Sequence, residues 1–376
     1  MKNNVGPIYK CYLCGCSITS SNTSDEHIIL NAIGGRLHSK TLICKYCNSR
    51  MGNTADAKLA EDLSFFTDML EIPRQRKSEH SQIMTDSDGH EIVVKDAGKT
   101  LRLRKPYKKV VTDGSKTELQ IVARNIDEVQ GIVSSFIKEG TISKEQGHKI
   151  ISNSELKEYK SPLHKSICIS TDAFPSIVKS AVNFYIEKTR DVDTVKHLIP
   201  VIKGEVGTKG IIYMYILKNL PYPNNEKEVV HMIHIEGSKG TGLLYALMEY
   251  YSIYTYVVVL NDKYDGDEIN QTYAFDTISS QEIQREFRLP LTMNRLIEFK
   301  SMQHEKYCTE YLPCIKQRAD NVMRIWDTKQ KQKELQSVVE KAFRKFPEGC
   351  ILDESMIRSI ENDIVDFFTR QFHDSF

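Results

Sequence analysis

The pattern of apolar and polar positions separates a short N-terminal segment from the rest of the chain. Residues 1–60 contain few long apolar runs, and such a segment buries too little surface to fold alone. Further along, apolar residues recur at the spacing of one helix face. This periodicity predicts helices at residues 61–71, 126–138, 175–189, 335–346 and 357–372.

Short apolar runs rich in β-branched and aromatic residues predict strands. They lie at residues 92–94, 101–111, 119–122, 210–217, 229–235, 254–260 and 271–275. The mixture of elements predicts an α+β protein. We expect a small N-terminal module at residues 1–71, a basic linker or hairpin at 72–111 and a larger α+β region at 112–376.

The distribution of charge along the chain says more about possible partners than the net charge does. The formal net charge is +1, so composition alone does not indicate nucleic acid as a partner. Residues 72–110, however, contain ten Lys and Arg residues against five acidic ones. We expect Arg102, Arg104 and Lys105 of this segment to contact a phosphate backbone. A solvated charged surface is the alternative interpretation.

No part of the sequence predicts export or membrane insertion. The first seven residues lack the apolar core of a signal peptide. The most apolar stretches, such as residues 254–260, are far shorter than the ~20 residues that a membrane span requires. We therefore expect a cytoplasmic protein without a membrane partner. In that reducing compartment, paired cysteines are typical of metal binding or catalysis rather than disulfides.

Four of the nine cysteines form two C-x-x-C pairs, Cys11 with Cys14 and Cys44 with Cys47. Each pair places two thiolates on one turn, so two pairs complete a closed tetrahedral site for a structural Zn²⁺ ion. Cys16 lies too close to Cys14 to fit that geometry, and we interpret it as a spare thiol.

The residues around these pairs resemble one enzyme family. Between the pairs lie Glu26-His27-Ile28-Ile29 and Gly34-Gly35, and after them come Asn48, Gly52 and Asp56. This succession is similar to the zinc-containing branch of the HNH endonucleases over about residues 8–60. The resemblance implies a ββα-metal fold, a hairpin followed by a helix, around one catalytic divalent ion. It also implies metal-dependent hydrolysis of phosphodiester bonds in nucleic acid, with double-stranded DNA as the expected substrate.

The resemblance carries roles onto four residues of this chain. His27 matches the general base that activates water, and Asn48 matches the residue that fixes the loop bearing the base. Glu26 and Asp56 match the ligands of the catalytic ion, with Asp25 as the alternative to Glu26. Cleavage of a phosphodiester requires a base and a cation that stabilises charge on phosphate, and hard oxygen ligands suit Mg²⁺ or Mn²⁺.

Two positions depart from the family pattern. Asp56 stands where the family has His, which favours a hard cation over zinc or nickel. Leu30 stands where the family has Pro after the Glu-His-Ile-Ile run. We expect this change to loosen the hairpin without touching a proposed ligand.

Other functions remain open at this stage. The module could be a zinc-stabilised nucleic-acid-binding protein without catalysis. The region 112–376 could be a sensor or oligomerisation domain that gates a nuclease, as in phage defence or mobile-element proteins. That idea depends on architecture alone. One active site cuts one strand, so a double-strand break would require a homodimer or two visits.

Overall fold

The chain divides into two units, Met1–Lys209 and Gly210–Phe376. The structure is a computed structural model, and it describes residues 9–75, 81–113, 116–155, 159, 161–223 and 225–373. The division differs from the boundary at 111/112 that we expected from the sequence. Residues 112–209 belong with the N-terminal module because a helix of this region packs against it.

Unit 1 begins with an antiparallel hairpin. Strand β1 (Glu26–His27) pairs with β2 (His38–Ser39), and His27 lies opposite His38. The helix α1 (Lys45–Gly52) follows, so the order is the ββα order implied by the resemblance.

The hairpin loop explains the paired glycines. Gly34 ends a short turn of 3-10 helix with a φ of 98°, which favours glycine. A Cβ atom on Gly35 would lie 2.0 Å from the carbonyl oxygen of Ile29, so no side chain fits there. Leu30 has a φ of −55°, within the range of proline, so the backbone keeps the conformation that proline would impose.

Seven helices and eight strands are described in unit 1. The helices after α1 are α2 (Ala55–Asp62), α3 (Ser64–Met69), α4 (Ile126–Lys138), α5 (Lys144–Ser152), α6 (Phe174–Thr189) and α7 (Ile199–Ile202). The strands after β2 are β3 (Gln82–Asp86), β4 (Glu91–Lys95), β5 (Thr100–Leu103), β6 (Tyr107–Asp113), β7 (Lys116–Val122) and β8 (Leu163–His164). Strands β5-β4-β3-β8 form one antiparallel sheet, and β6 and β7 form a separate hairpin.

Most predicted elements of unit 1 are present. The helix predicted at 126–138 is α4, and the helix predicted at 175–189 is α6 with one more residue at its start. The helix predicted at 61–71 is instead the end of α2 and the whole of α3, and the strand predicted at 101–111 is divided between β5 and β6.

Helix α6 is the element that positions the site. Pro175 lies in its first turn, where proline costs no hydrogen bond. Every residue from 176 to 186 is buried, which includes the polar side chains of Ser176, Lys179, Ser180 and Asn183. The helix packs against α2, so its polar face meets the N-terminal module.

Unit 2 is a six-stranded antiparallel sheet followed by helices. Its strands are β9 (Ile212–Met214), β10 (Val230–Ser238), β11 (Leu243–Tyr250), β12 (Tyr254–Asn261), β13 (Ile269–Asp276) and β14 (Gln281–Ile283). They lie in the order β14-β13-β10-β11-β12-β9. The helices are α8 (Met293–Lys300), α9 (His304–Lys306), α10 (Leu312–Phe343) and α11 (Glu354–His373). The two predicted C-terminal helices lie largely within α10 and α11.

One central strand of this sheet, β11, was not predicted from the sequence. All eight of its residues are buried, so the alternation that marks a half-exposed strand is absent. Its Leu, Ala and Met residues also favour helix in isolation. Among the described residues, no helix has the length and apolar character needed to cross a membrane.

Candidate active site and metal centre

The four paired cysteines meet in one cluster, as predicted. The Sγ atoms of Cys11, Cys14, Cys44 and Cys47 all lie within 4.8 Å of one another, and we call this group the cysteine cluster. The Sγ atoms of Cys14 and Cys44 are 3.8 Å apart. Tetrahedral zinc with Zn–S bonds of about 2.3 Å requires S···S distances of about 3.8 Å, so the cluster fits a tetrahedral ion. Cys16 does not belong to it.

Short backbone turns place these thiols. The amide of Gly15 donates to the carbonyl of Cys11 over 2.7 Å, and Gly15 has a φ of 78°, so the first pair lies on a tight turn that favours glycine. Cys44 caps the N-terminus of α1, and Cys47 lies in its first turn. The second pair therefore fixes the start of α1.

Asn48 follows Cys47 directly and is placed by the same turn. Its Nδ2 atom donates to Ser24 Oγ over 2.6 Å. Only Asp25 separates Ser24 from the start of β1, so this contact holds the segment that leads into the strand carrying His27.

His27 is half-buried at the end of β1. Burial lowers the pKa of its imidazole below the ordinary 6.5; Asp25 opposes this shift, and His38 and Arg36 add to it. The ring is therefore neutral at pH 7. A neutral imidazole is the form that can accept a proton from water.

A cleft of about 890 Å³ joins the predicted site residues. Its lining includes Glu26, His27, Asn48 and Asp56, together with two lysines, Lys165 and Lys179. The structure thus brings all four predicted catalytic residues to one cavity, and it adds three cationic side chains from outside the motif, since Arg74 also lines the cleft.

The two predicted metal ligands share a lysine. Lys179 Nζ lies 2.7 Å from Glu26 Oε1 and 2.7 Å from Asp56 Oδ2. All three residues are buried, and Lys179 has no exposed surface. We call this group the Lys179 cluster. Glu26 and Asp56 therefore lie in one place, as predicted, but with an ammonium group between them.

Further residues of α6 and the module complete the contacts around the Lys179 cluster. Ser176 Oγ donates to Asp56 Oδ1 over 2.6 Å, and Asn183 Nδ2 donates to Glu26 Oε1 over 2.9 Å. The hydroxyl of Tyr12, which lies between Cys11 and Cys14, donates to Asn183 Oδ1 over 2.7 Å. Asn183 therefore links the first cysteine turn to Glu26.

Within the Lys179 cluster, the pKa values of Glu26 and Lys179 depend on the charges of the neighbouring members. Burial raises the pKa of Glu26, while Lys179 opposes the shift and Asp56 adds to it. Burial alone would lower the pKa of Lys179, but Glu26 and Asp56 outweigh it and the pKa is raised. Lys179 therefore stays an ammonium ion at neutral pH.

Asp25, the alternative ligand, points elsewhere. It is exposed, and its Oδ1 atom lies 2.6 Å from His38 Nδ1. It thus pairs with the residue opposite His27 and takes no part in the Lys179 cluster.

The Lys179 cluster does not fit the divalent ion that the sequence predicts there. Two carboxylates are suitable donors for Mg²⁺ or Mn²⁺. However, Glu26 and Asp56 each direct one oxygen to Lys179 Nζ, and an ion between them would lie beside a buried ammonium group. The four thiols of the cysteine cluster, by contrast, could hold a metal ion.

The residues predicted to contact nucleic acid lie on the surface of unit 1. Arg102 is exposed on β5, and Arg104 and Lys105 are exposed just after it. Arg104 forms an ion pair with Glu91 over 3.0 Å. The structure does not place these three residues in the lining of the cleft.

Sequence reasoning missed the contribution of α6. A signal was present, because Ser176, Lys179, Ser180 and Asn183 recur at helical spacing within an otherwise apolar helix. A polar stripe buried along with an apolar one requires polar partners. The carboxylates of the Lys179 cluster are the partners of Ser176, Lys179 and Asn183.

Comparison with known protein families gives a match within the N-terminal module. Comparison with curated proteins and with solved structures gives no match. Residues 11–64 match the family model of the HNH endonucleases, and this match contains the cysteine cluster, His27, Asn48 and both carboxylates of the Lys179 cluster.

Proposed function

We propose that the N-terminal module hydrolyses phosphodiester bonds of nucleic acid, and of DNA in particular. The observation that carries the proposal is His27, a neutral imidazole in a cleft within a segment that matches the HNH endonucleases. In this scheme His27 accepts the proton of the attacking water, and Asn48 holds the segment that bears it.

The cysteine cluster has a structural role in this scheme and binds Zn²⁺. Four thiolates leave no open position for water or substrate, which is typical of structural sites. The ion would stabilise the turn of Cys11 and the start of α1, and through α1 the position of Asn48.

Arg102, Arg104 and Lys105 would hold the phosphate backbone without reading sequence. Their exposure supports this role, and the ion pair of Arg104 with Glu91 makes Arg104 the weakest candidate of the three. One cleft serves one strand, so a double-strand break would need a second copy of the chain or a second visit.

A second candidate function is nucleic-acid binding without cleavage. The Lys179 cluster favours it, because both carboxylates expected to hold the catalytic ion are already ion-paired with Lys179. The two functions differ in what His27 does, so they can be separated by one experiment.

The experiment compares the wild-type protein with His27→Ala. Both proteins, loaded with zinc, would be incubated with supercoiled plasmid, single-stranded DNA and RNA, without added divalent ion and with Mg²⁺ or Mn²⁺. We expect wild type to cleave DNA and His27→Ala to lose cleavage by at least about 100-fold, the usual contribution of a general base. Zinc content and DNA affinity should be unchanged in the variant.

His38→Ala serves as the matched control, since His38 lies opposite His27 on β2 and is not part of the motif. It should retain most of the activity. Absence of cleavage by wild type under all conditions, with DNA binding intact, would select the binding function. Cleavage of RNA alone would support the proposed hydrolase activity and show that its substrate is RNA rather than DNA.

A further inference from the structure

Lys179 lies at the position where the motif requires a cation. Its Nζ atom contacts Glu26 and Asp56 at the same distance, 2.7 Å, and thus bridges the two carboxylates as a metal ion would. Ser176 and Asn183 donate to the same two carboxylates. Three residues from one helix therefore supply an ion pair and a hydrogen bond to each of the two predicted ligands.

The charge balance leaves little attraction for another cation. Lys179 places a positive charge between the carboxylates of Glu26 and Asp56, in a buried site where Coulomb interactions are strong. A divalent ion would have to approach a fixed positive charge within the same pair of carboxylates. Such an ion binds only if Lys179 leaves.

Lys179 is held in place by both carboxylates and by the burial of its helix. It lies in the middle of α6, on the stretch of residues 176–186 that is buried throughout. Neighbouring turns of the helix are held to the module by Ser176, Asn183 and, through Asn183, by Tyr12. If the Lys179 side chain turned into the cleft, the buried carboxylates of Glu26 and Asp56 would lose their cation.

We propose that Lys179 is the resident cation of this HNH site and excludes the divalent ion for which Glu26 and Asp56 would otherwise be ligands. Lys179 thereby acts as a positioning residue that holds the two carboxylates in place. As far as it concerns cleavage, the inference rests on the proposed function: cleavage by this protein then does not depend on a divalent ion.

Binding of Mn²⁺ tests the inference without reference to activity. Full-length protein containing its zinc would be titrated with Mn²⁺ by calorimetry and by the loss of the free-Mn²⁺ electron paramagnetic resonance signal. We expect wild type to bind no Mn²⁺ at the Lys179 cluster, so that Asp56→Asn gives the same titration as wild type. A wild-type site with one Mn²⁺ that Asp56→Asn abolishes would overturn the proposal, even if no other variant folds.

Lys179→Met removes the charge and keeps the length of the side chain. It should gain one Mn²⁺ site at least tenfold tighter than any wild-type binding, and Mn²⁺ should raise its melting temperature. The double variant Lys179→Met/Asp56→Asn should lose that site. Lys165→Met is the matched control, because Lys165 lines the same cleft but donates to Gln82 instead of the carboxylates. It should gain no Mn²⁺ site. A folded Lys179→Met protein that binds no Mn²⁺ would overturn the proposal.

Activity distinguishes failure of this inference from failure of the proposed function. Cleavage that requires Mg²⁺ or Mn²⁺ and is lost in Asp56→Asn would refute the exclusion of the ion and leave the hydrolase intact. Cleavage that proceeds equally with and without added Mg²⁺, in protein that retains its zinc, supports both. Binding of DNA without cleavage refutes the hydrolase, and the Mn²⁺ titrations then decide on Lys179 alone.

Discussion

The cysteine cluster and the Lys179 cluster lie in the same unit of the chain but are built in different ways. The cysteine cluster joins two short turns, and Cys14 and Cys44 are 30 residues apart in sequence. The Lys179 cluster joins the module to a helix far along the chain, and Lys179 lies 123 residues from Asp56. The first is complete within the motif, whereas the second takes its cation from outside it.

The difference shows what a short motif can and cannot specify. Thiols at C-x-x-C spacing can meet around one ion whatever the rest of the chain does, because the spacing itself sets the geometry. Buried carboxylates need compensation, and a motif does not state whether it comes from a metal or from another side chain. The same pair of acids can therefore belong to a metal site or to an internal ion pair.

The largest expected effect is the loss of the cysteine cluster. Cys47→Ser should lose zinc and unfold the N-terminal module, because zinc binding to such small modules is worth about 10–16 kcal/mol and serves as folding energy. Elemental analysis and hydrogen exchange of residues 9–71 would measure both. Cys16→Ser is the control and should keep one zinc. A Cys47→Ser protein with a full equivalent of zinc would contradict the assignment.

A smaller effect is expected where the two clusters are joined. Asn183→Ala leaves the Tyr12 hydroxyl without its acceptor and removes a donor to Glu26. Each buried polar group left unsatisfied costs about 1–3 kcal/mol, so urea unfolding should show a loss in that range while zinc is retained. Ser180→Ala on the same helix should cost little, since among the described residues its Oγ atom has no hydrogen-bond partner. Equal losses of stability in the two variants would mean that the hydrogen bonds of Asn183 with Tyr12 and Glu26 do not stabilise the fold.

The pH dependence of cleavage should show which neighbouring charged residues shift the pKa of His27, and whether the Lys179 cluster is among them. Its pKa is lowered by burial, so activity that needs the neutral ring is lost only as pH falls through a value below 6.5. Asp25 raises the pKa of His27, so Asp25→Asn should move the midpoint of the acid limb to lower pH. Glu26→Gln should leave that midpoint in place. A midpoint above 6.5 in wild type would exclude His27 as the titrating base.

The smallest effect concerns the basic segment, which belongs to neither cluster. Replacement of Arg102, Arg104 and Lys105 by Ala should reduce the slope of log affinity against log salt by about 0.9 for each phosphate that the variant no longer neutralises. Zinc content should not change. A triple variant of the exposed Lys138, Lys144 and Lys149, on α4 and α5, is the matched control. The same slope in both variants would indicate that the segment is only a solvated surface.

The features that could be predicted from the sequence are those set by local spacing, as in the cysteine cluster, and not those set by distant residues, as in the Lys179 cluster. The cysteine cluster and α4 depend on local spacing, and both were predicted from the sequence. The link from α6 to the module could not be located, because it depends on which distant helix packs against α2. Strand β11 was missed because burial on both faces removes the alternation on which strand prediction relies.

The hydrogen bond from Tyr12 to Asn183 sets a limit on how far this module can be moved between proteins. A gene fusion or an engineered graft that carried only residues 9–71 would keep every residue of the motif. It would leave behind the helix that neutralises Glu26 and Asp56 and that accepts the Tyr12 hydroxyl. The smallest transferable piece of this protein therefore extends at least to the end of α6, at Thr189.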